Sequence, residues 1–323
     1  MAAPSNTTTT LVSIGNREDL ENVIYRVAPE QTPFISNIGT TKAKAIFHEW
    51  QTEALAAPSA TASTALEGDD TTNTSPNLTT RVGNYCQINK KGYGVSGTQE
   101  VVDKAGRASE ITRQRTLKGL EIKRDLELRV TGNYASVVES GATTRKTAGI
   151  LAWLVTNVSR GSGGSNGGYS AGIVAAATNG TQRTLTEALV KTVMASCFAN
   201  GGKPNQAYMG PAHKQQFSAF TGIAEIRKDA PGNKMATIIG GAEIYVSDFG
   251  NLALIPHPYG PGVATGQRDL LLVDPDMAAI GTLRGWTDEE LSKTGDSEKR
   301  QVISEKCLVV KNEMAHGVVA DLL

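Results

Sequence analysis

The stretch "RVGNYCQINKKGYGVSGTQEVV" (81–102) contains Gly92, Gly94 and Gly97 in the G-x-G-x-x-G spacing of dinucleotide-binding loops. In such loops the glycines follow a buried strand and begin a helix whose amino terminus receives the pyrophosphate. Here residues 81–89 alternate polar and apolar side chains, which predicts a half-exposed strand. Gly106 follows too soon for a crossover helix, and no apolar strand near position 117 presents a carboxylate. The glycines are therefore interpreted as part of a flexible or bent strand.

The segment before this stretch predicts a long ribbon. "IFHEWQTEAL" (46–55) can form a strand, whereas residues 56–80 contain no aromatic side chain, isoleucine or valine. Such a segment cannot bury enough apolar surface to offset its ordering entropy. We expect a two-stranded ribbon with a flexible tip, which needs a surface on another chain because an isolated ribbon is marginally stable. The side chains expected to anchor on that partner are Phe47, Trp50, Tyr85 and Ile88.

An amphipathic helix is predicted further towards the amino terminus. Leu20, Val23, Ile24 and Val27 lie at i, i+3, i+4 and i+7, with Asn16 as a cap. Pro29 and Pro33 should end this helix. A short helix on an extended arm is the expected structure.

A second, longer helix is predicted at residues 107–131. Ile122, Leu126 and Val130 form one apolar stripe, and Leu117, Leu120 and Leu128 form another. The i, i+4 spacing predicts ion pairs between Lys123 and Glu127 and between Asp125 and Arg129.

The second half of the chain predicts an α+β body. Residues 159–170 are Gly/Ser-rich without the lysine of a phosphate-binding loop, so a flexible connection is expected. A helix should begin with a Thr184–Glu187 capping box and end at Gly201, and another should begin at Pro211. Strands are predicted at residues 205–210, 241–250, 251–256, 268–274, 305–313 and 317–323. Two helices on a mostly antiparallel sheet is the expected arrangement.

Composition narrows the functional class. The 323 residues carry 32 Lys and Arg against 32 Asp and Glu, which gives no electrostatic reason for tight binding to nucleic acid or to an anionic membrane. No apolar run is long enough to span a membrane, and the first residues lack the pattern of a secretory signal. Cys86, Cys197 and Cys307 are far apart and odd in number, which predicts reduced, packed thiols.

The sequence contains no recognisable motif for catalysis or metal binding. His48, His213, His257 and His316 have no metal-ligand spacing, so each is expected to be a hydrogen-bonded or surface histidine. The acidic group Glu67, Asp69 and Asp70 does not match a calcium loop and is interpreted as a solvated loop. The charge run at 287–300 is interpreted as a solvated loop or helix. We therefore predict no catalytic, cofactor-binding or metal-binding residues, and no enzyme activity.

Three segments of the sequence, taken together, resemble a known protein family. "NREDLENVIYRVAPEQTPFISNIGTTKAKAIFHEWQTEAL" (16–55), "EGDD" (67–70) and "RVGNYCQINKKGYGVSGTQEVV" (81–102) are similar to the major head proteins of the SU-ten-like group. These are major capsid proteins of tailed bacteriophages with the Hong Kong 97-type fold. The similar block covers about residues 13–102, and the remainder matches more loosely.

The resemblance implies an α+β capsid fold with a defined domain order. Residues 1–45 would be the N-terminal arm, 46–98 the extended loop over a neighbouring subunit, and 99–180 the peripheral domain with its spine helix at 107–131. Residues 181–300 would be the axial domain, and 301–323 a strand returning to the peripheral domain. Gly92, Gly94 and Gly97 would lie where the ribbon bends back into the body.

The function implied is that of a virion protein. The chain would self-assemble as hexamers and pentamers of an icosahedral head, in the host bacterial cytoplasm, and enclose double-stranded DNA held by non-specific contacts only. Portal and decoration proteins are expected partners, with a separate scaffolding protein or none. Two alternatives stay open: an encapsulin-type nanocompartment shell of the same fold, and a nucleotide-binding enzyme.

Overall fold

The chain contains two larger β-sheets, one of four and one of six strands, and one long helix that packs on the four-stranded sheet. The computed structural model describes residues 21, 23–60, 64–70, 76–220, 243–262 and 267–323. The helices are α1 (Pro33–Asn37), α2 (Gly97–Val101), α3 (Glu110–Thr131), α4 (Ile150–Trp153), α5 (Glu187–Ala199) and α6 (Pro211–Ser218). The strands are β1 (Gly39–Lys42), β2 (Phe47–Thr52), β3 (Thr80–Tyr85), β4 (Gln87–Ser96), β5 (Val158–Ser159), β6 (Gly168–Ser170), β7 (Ile173–Ala175), β8 (Gln206–Met209), β9 (Ile244–Ser247), β10 (Gly250–Pro256), β11 (Leu270–Val273), β12 (Ala278–Glu290), β13 (Ser297–Val310) and β14 (Gly317–Val319).

The first sheet has four strands in the order β1, β12, β13, β4. β12 and β13 form a long antiparallel hairpin, β4 adds antiparallel to β13, and β1 from the arm adds parallel to β12. The second sheet has six strands in the order β5, β14, β11, β8, β10, β9 and mixes parallel with antiparallel pairs. β2 with β3 and β6 with β7 form two separate ribbons.

Helix α3 confirms the long helix predicted from the sequence. The Ser109 side chain accepts a hydrogen bond from the Thr112 backbone N–H and caps the first turn. The helix has 22 residues, which corresponds to about 33 Å at 1.5 Å per residue. Ile122, Leu126 and Val130 are at most 1% exposed, so the first apolar stripe faces the core. The second stripe, Leu117, Leu120 and Leu128, is half-buried.

The second half of the chain largely follows its predicted elements. α5 and α6 form where expected, with Pro211 in the first turn of α6 and Gly201, at φ +82°, directly after the cap of α5. The Thr184–Glu187 capping box is wrong, because the N-cap is Thr186 and its side chain makes no capping hydrogen bond. All predicted strands are present, and the fold is α+β.

The predicted arm helix is wrong in the part of the arm that the structure describes. Residues 23–32 have no helix, and the helix begins at Pro33, where the prediction ended it. Proline suits the first turn of a helix because backbone N–H groups there have no acceptor within the helix, so the N–H that proline lacks costs no hydrogen bond. Asn16 and Leu20 lie outside the described residues.

The glycine-rich stretch is a sheet strand and not the bend of the ribbon. Gly92 and Gly94 lie in β4 opposite Gln301 and Lys299, and Gly97 begins the five-residue helix α2. The chain turns from ribbon to sheet at Cys86, between β3 and β4. β4 pairs with β13 along its whole length, so residues 87–96 are part of the first sheet.

The charge run at 287–300 is the end of the β12–β13 hairpin: residues 291–296 form an exposed loop, as predicted, whereas the residues on either side lie in the two strands. Asp288, whose side chain is 7% exposed, accepts hydrogen bonds from the Tyr93 hydroxyl at 3.0 Å and from Arg300 Nη1 at 2.8 Å. Cross-strand pairing of opposite charges lets a charged sequence form strands. β13 extends from Ser297 to Val310 in the first sheet, and β14 joins the six-stranded sheet.

The Gly/Ser-rich segment is a packed connection rather than a flexible one. Buried Asp321 accepts hydrogen bonds from the backbone N–H groups of Gly161 and Gly180 at 3.0 and 2.8 Å. A Cβ atom on Gly161 would lie 2.0 Å from the Thr181 carbonyl oxygen. This glycine allows two backbone segments to approach closely.

Candidate assembly surfaces

The N-terminal arm is tied to the body by a buried carboxylate. Glu127 of α3 is 0% exposed and accepts hydrogen bonds from the backbone N–H groups of Phe34 and Ile35 at 2.7 and 2.9 Å. These N–H groups belong to the first turn of α1, which has no side-chain cap of its own. Glu127 therefore caps a helix 92 residues earlier in the chain, and fixes the arm on the long helix.

A histidine completes this anchor. His257 Nε2 lies 2.8 Å from Glu127 Oε1, and His257 Nδ1 accepts the backbone N–H of Tyr259 at 3.2 Å. Because Nδ1 accepts, Nε2 carries the hydrogen and donates it to the carboxylate. His257 follows directly after β10, so the anchor joins the arm, α3 and the six-stranded sheet.

A second set of contacts holds the arm on both sides of the Phe34–Ile35 anchor. The Tyr259 hydroxyl donates to the Pro29 carbonyl oxygen at 2.6 Å and accepts from Arg124 Nε at 2.6 Å. Lys123 Nζ contacts Ser36 Oγ at 3.4 Å. The arm is thus fixed from Pro29 onwards.

Both ion pairs predicted within α3 are wrong. Glu127 faces the core and binds the arm, while Asp125 pairs with Lys91 of β4 at 2.7 Å. Arg129 donates to the carbonyl oxygens of Thr147 and Ala135. Helical spacing shows which side chains are neighbours, but partners from other elements compete for them.

The predicted ribbon is confirmed, with strands β2 and β3 paired from Phe47–Tyr85 to Thr52–Thr80. Its aromatic side chains, however, contact their own subunit. Trp50 lies 5.5 Å from Trp153 between ring centroids, and Trp153 stacks on Tyr169 at 5.6 Å. Phe47 packs on Tyr85 at 4.6 Å. The ribbon base is therefore fastened to the body.

The tip of the ribbon has a different character. Residues 53–60, 64–70 and 76–79 contain no helix or strand, and every one of them is exposed. Leu55, Leu66 and Leu78 are 94%, 82% and 85% exposed. Glu67, Asp69 and Asp70 are exposed beside Leu66, consistent with the predicted solvated loop. The tip presents isolated apolar side chains in a polar segment.

The arm presents a second exposed apolar group. Val23, Ile24, Tyr25 and Val27 are 52%, 44%, 76% and 104% exposed. Val23, Ile24 and Val27 belong to the stripe that the sequence assigned to a helix, and in the described arm they remain 44% exposed or more.

His213, His257 and His316 are packed inside the body, whereas His48 is half-buried in β2 of the ribbon. Burial lowers the pKa of His316 to about 4, so that this side chain stays neutral at pH 7. Burial also lowers the pKa of His213, whose Nε2 lies 3.1 Å from the Leu323 carbonyl oxygen. Among the described residues no group of three His, Cys, Asp or Glu side chains could hold a metal ion. No helix in the described part of the chain is long and apolar enough to cross a lipid bilayer.

Solved structures with this architecture are phage capsid proteins of the Hong Kong 97-type fold. A chain of the cyanophage A-1(L) capsid asymmetric unit superimposes with a TM-score of 0.66 at 11% identity, covering 97% of this chain and 98% of that one. A chain of Gordonia phage Cozz gives a TM-score of 0.62 at 14% identity, covering 99% and 97%. The chain therefore has the fold of these capsid proteins.

Sequence comparison then identifies the family. Residues 3–323 match the family model described as SU10 major capsid protein, and the chain belongs to that family. The major capsid protein of Escherichia phage Phieco32 is 34% identical over 113 residues, which are 35% of this chain and 32% of that protein. The aligned part thus spans about a third of this curated relative.

Proposed function

We propose that this chain is the shell subunit of a tailed-phage head, which assembles with its own copies into a closed icosahedral shell around double-stranded DNA. Family membership over residues 3–323 and the capsid fold support this function. Assembly takes place in the host cytoplasm, and the product is the virion head. Portal, decoration and separate scaffolding proteins are the further partners we propose.

The observation that carries the proposal is the contrast between the two ends of the ribbon. The base packs on its own body through Trp50 and Trp153, whereas the tip exposes Leu55, Leu66 and Leu78 almost completely. A monomer gains nothing from holding apolar side chains at the end of an extended segment in water. A neighbouring copy that covers the tip removes this cost. The tip is therefore the proposed contact with the next subunit.

The geometry of such a contact suits a ring. A tip that contacts a different surface on its neighbour forms a heterologous interface, which closes into rings when the rotation permits. Hexamers and pentamers are rings of this kind. The exposed apolar side chains at residues 23–27 of the arm provide a second contact between copies. The anchor at Glu127 fixes where the arm leaves the body and so directs these side chains to the same place in every copy.

The sheets suggest a revised division of the chain. We propose that the arm ends near residue 45 and that the extended loop comprises residues 46–86. The peripheral domain then combines β4, α3 and the β12–β13 hairpin, since these elements pack together. The axial domain combines α5, α6 and the strands β8–β11.

Two other functions are less well supported. An encapsulin-type compartment shares the fold, but the family matched by the sequence is one of phage capsid proteins. A nucleotide-binding enzyme needs glycines between a strand and a crossover helix, and Gly92 and Gly94 lie within β4 instead. We therefore propose a structural and non-enzymatic role.

The charge balance leads to a prediction about DNA. Packaged DNA must move against the inner wall without adhering to it, and the formal net charge of zero suits a wall of this kind. We expect no measurable affinity of the free subunit for duplex DNA at physiological salt in a fluorescence-anisotropy titration. Non-specific contact at low salt is compatible with the proposal. A sub-micromolar dissociation constant with a steep salt dependence would argue for a nucleic-acid-binding protein instead.

The experiment that tests the proposed function directly is a shell-assembly assay with and without the ribbon tip. Closed shells are expected from the full chain only. Normal shells from the chain without its tip would contradict the role of this segment.

A further inference from the structure

Two of the three cysteines face each other across the first sheet. Cys86, Cys197 and Cys307 are all buried free thiols, as the sequence predicts. Lys306 of β13 pairs with Gln87 of β4, so one step further along the same antiparallel register Cys307 lies opposite Cys86. Both side chains are 0% exposed and belong to one buried cluster. Cys86 Sγ donates to the Ala45 carbonyl oxygen at 3.6 Å, and Cys307 Sγ donates to the Gly281 carbonyl oxygen at 3.7 Å. Cys197 lies apart from them, in α5.

The backbone hydrogen bonds identify the kind of cross-strand pair. Leu308 donates its N–H to Thr147 Oγ1 and accepts from Asn84 Nδ2, so its peptide groups point to the side of β3 and β4. In a strand the next residue points the opposite way. The peptide groups of Cys307 therefore point towards β12, and the Cys86 N–H goes to the Ile46 carbonyl oxygen at 2.8 Å. Cys86 and Cys307 thus form a non-hydrogen-bonded pair.

This type of pair suits a disulfide. In a non-hydrogen-bonded antiparallel pair the Cα atoms are about 4.5 Å apart and the side chains are close. Disulfides need a Cα separation of roughly 4.4–6.8 Å. The neighbouring strand leaves room for the sulfur atoms, because a Cβ on Gly281 would lie 2.7 Å from Cys307 Sγ.

We propose that Cys86 and Cys307 are a built site for an intrachain disulfide, formed by thiol–disulfide exchange with a small-molecule disulfide such as oxidised glutathione. The Cys86 thiolate attacks one sulfur of the oxidant, and one glutathione thiolate leaves. The Cys307 thiol then loses its proton and attacks the Cys86 sulfur, and the second glutathione thiolate leaves. Two protein thiols become one disulfide, and the oxidant is reduced to two glutathione molecules.

The environment of the pair gives the two cysteines different roles. The adjacent Cys307 thiol lowers the pKa of the Cys86 thiol, and the nearby Arg145 guanidinium acts in the same direction. Burial and the negative charge of Glu305 oppose this effect at Cys86. The neighbouring Cys86 thiol together with burial raises the pKa of Cys307. Cys86 is therefore the attacking thiolate, since only the deprotonated sulfur is nucleophilic.

The bond would join the ribbon base to the core of the first sheet. Cys86 lies where the chain turns from β3 into β4, and Cys307 lies in the central strand β13. The reducing cytosol keeps the pair as thiols, and an oxidising medium outside the cell favours the disulfide. In a shell released from the host, the disulfide would lock the ribbon at its base. This consequence rests on the proposed function.

The test is a count of free thiols on the full-length folded chain. The protein is incubated with reduced or with oxidised glutathione, denatured in the presence of N-ethylmaleimide, and analysed by intact mass spectrometry and peptide mapping. We expect three alkylated cysteines after reduction and one, Cys197, after oxidation. The melting temperature should be higher in the oxidised form, and reductant should restore all three thiols.

Variants separate this site from general oxidation. In the Cys197→Ala variant, the number of alkylated cysteines should fall from two in the reduced protein to none after oxidation. Cys86→Ser should give no intrachain disulfide and no oxidation-dependent rise in melting temperature. Three alkylated cysteines after prolonged oxidation of folded protein, or a bond that includes Cys197, would overturn the proposal. If Cys86→Ser does not fold, the peptide map of the wild-type chain and of Cys197→Ala still decides. Because the test needs no assembled shell, its result is independent of the proposed function.

Discussion

Replacing Glu127 with alanine is expected to destabilise the folded chain by about 3–5 kcal/mol, because the substitution leaves three buried or partly buried donors without an acceptor. The donors are the backbone N–H groups of Phe34 and Ile35 and the Nε2–H of His257. Chemical denaturation monitored by circular dichroism measures the loss. Hydrogen exchange at Phe34 and Ile35 should accelerate together with it, and trypsin should cleave the arm faster.

A matched control lies on the same helix. Glu121 pairs with Lys118 and Lys91 at the surface, so Glu121→Ala should cost less than about 1 kcal/mol. Equal stabilities of the two variants, with unchanged exchange at residues 34 and 35, would show that the carboxylate of Glu127 does not anchor the arm.

Removal of the ribbon tip is expected to abolish closed shells while the body stays folded. Residues 53–79 would be replaced by a short Gly-Ser turn that joins Thr52 to Thr80, the last pair of the ribbon. No described residue of this segment is buried, so the core loses no side chain. The contact surface of Leu55, Leu66 and Leu78 disappears. Circular dichroism reports the fold, and size-exclusion chromatography with electron microscopy reports the assembly.

Two further variants separate the reach of the tip from its apolar side chains. A Gly/Ser segment of the original length keeps the reach and removes all side-chain contacts. The triple substitution Leu55→Ser, Leu66→Ser, Leu78→Ser changes only the three exposed leucines. We expect both variants to assemble poorly. An unfolded product from the tip deletion would mean that the segment belongs to the core, and efficient assembly of all three variants would exclude the tip as an interface.

Local patterns in the sequence predict the parts of this fold that depend on neighbours along the chain. The stripe of Ile122, Leu126 and Val130 predicts α3 because helical periodicity places these side chains on one buried face. Pro211 and Gly201 predict a helix start and a helix end for reasons of backbone geometry. The low apolar content of residues 56–80 predicts an exposed tip.

Contacts between distant residues are the part that the sequence does not reveal. Glu127 looks like a surface residue at ion-pair spacing from Lys123, and only the folded chain brings α1 and His257 to it. Trp50 looks like an anchor for a partner, yet it packs on Trp153 of its own body. The strands at 287–300 look like a solvated charge run, because the sequence does not reveal that Asp288 pairs across the hairpin with Arg300 and accepts from Tyr93 of β4.

The facing cysteines illustrate the same limit. Cys86 and Cys307 are far apart in the chain. The chain has three cysteines in total, and an odd number favours unpaired thiols. The register of β4 against β13 is what places them opposite each other. Register depends on the whole sheet and therefore becomes visible only in the structure.

The central claim is that this chain builds a closed shell in which each ribbon tip rests on a neighbouring copy. A cryo-electron microscopy reconstruction of shells assembled from the purified full-length chain tests it most directly. The account predicts closed icosahedral particles in which residues 53–79 of one subunit contact the next, with Leu55, Leu66 and Leu78 covered. Particles in which the tip folds back onto its own subunit, or a chain that stays monomeric under all assembly conditions, would contradict it.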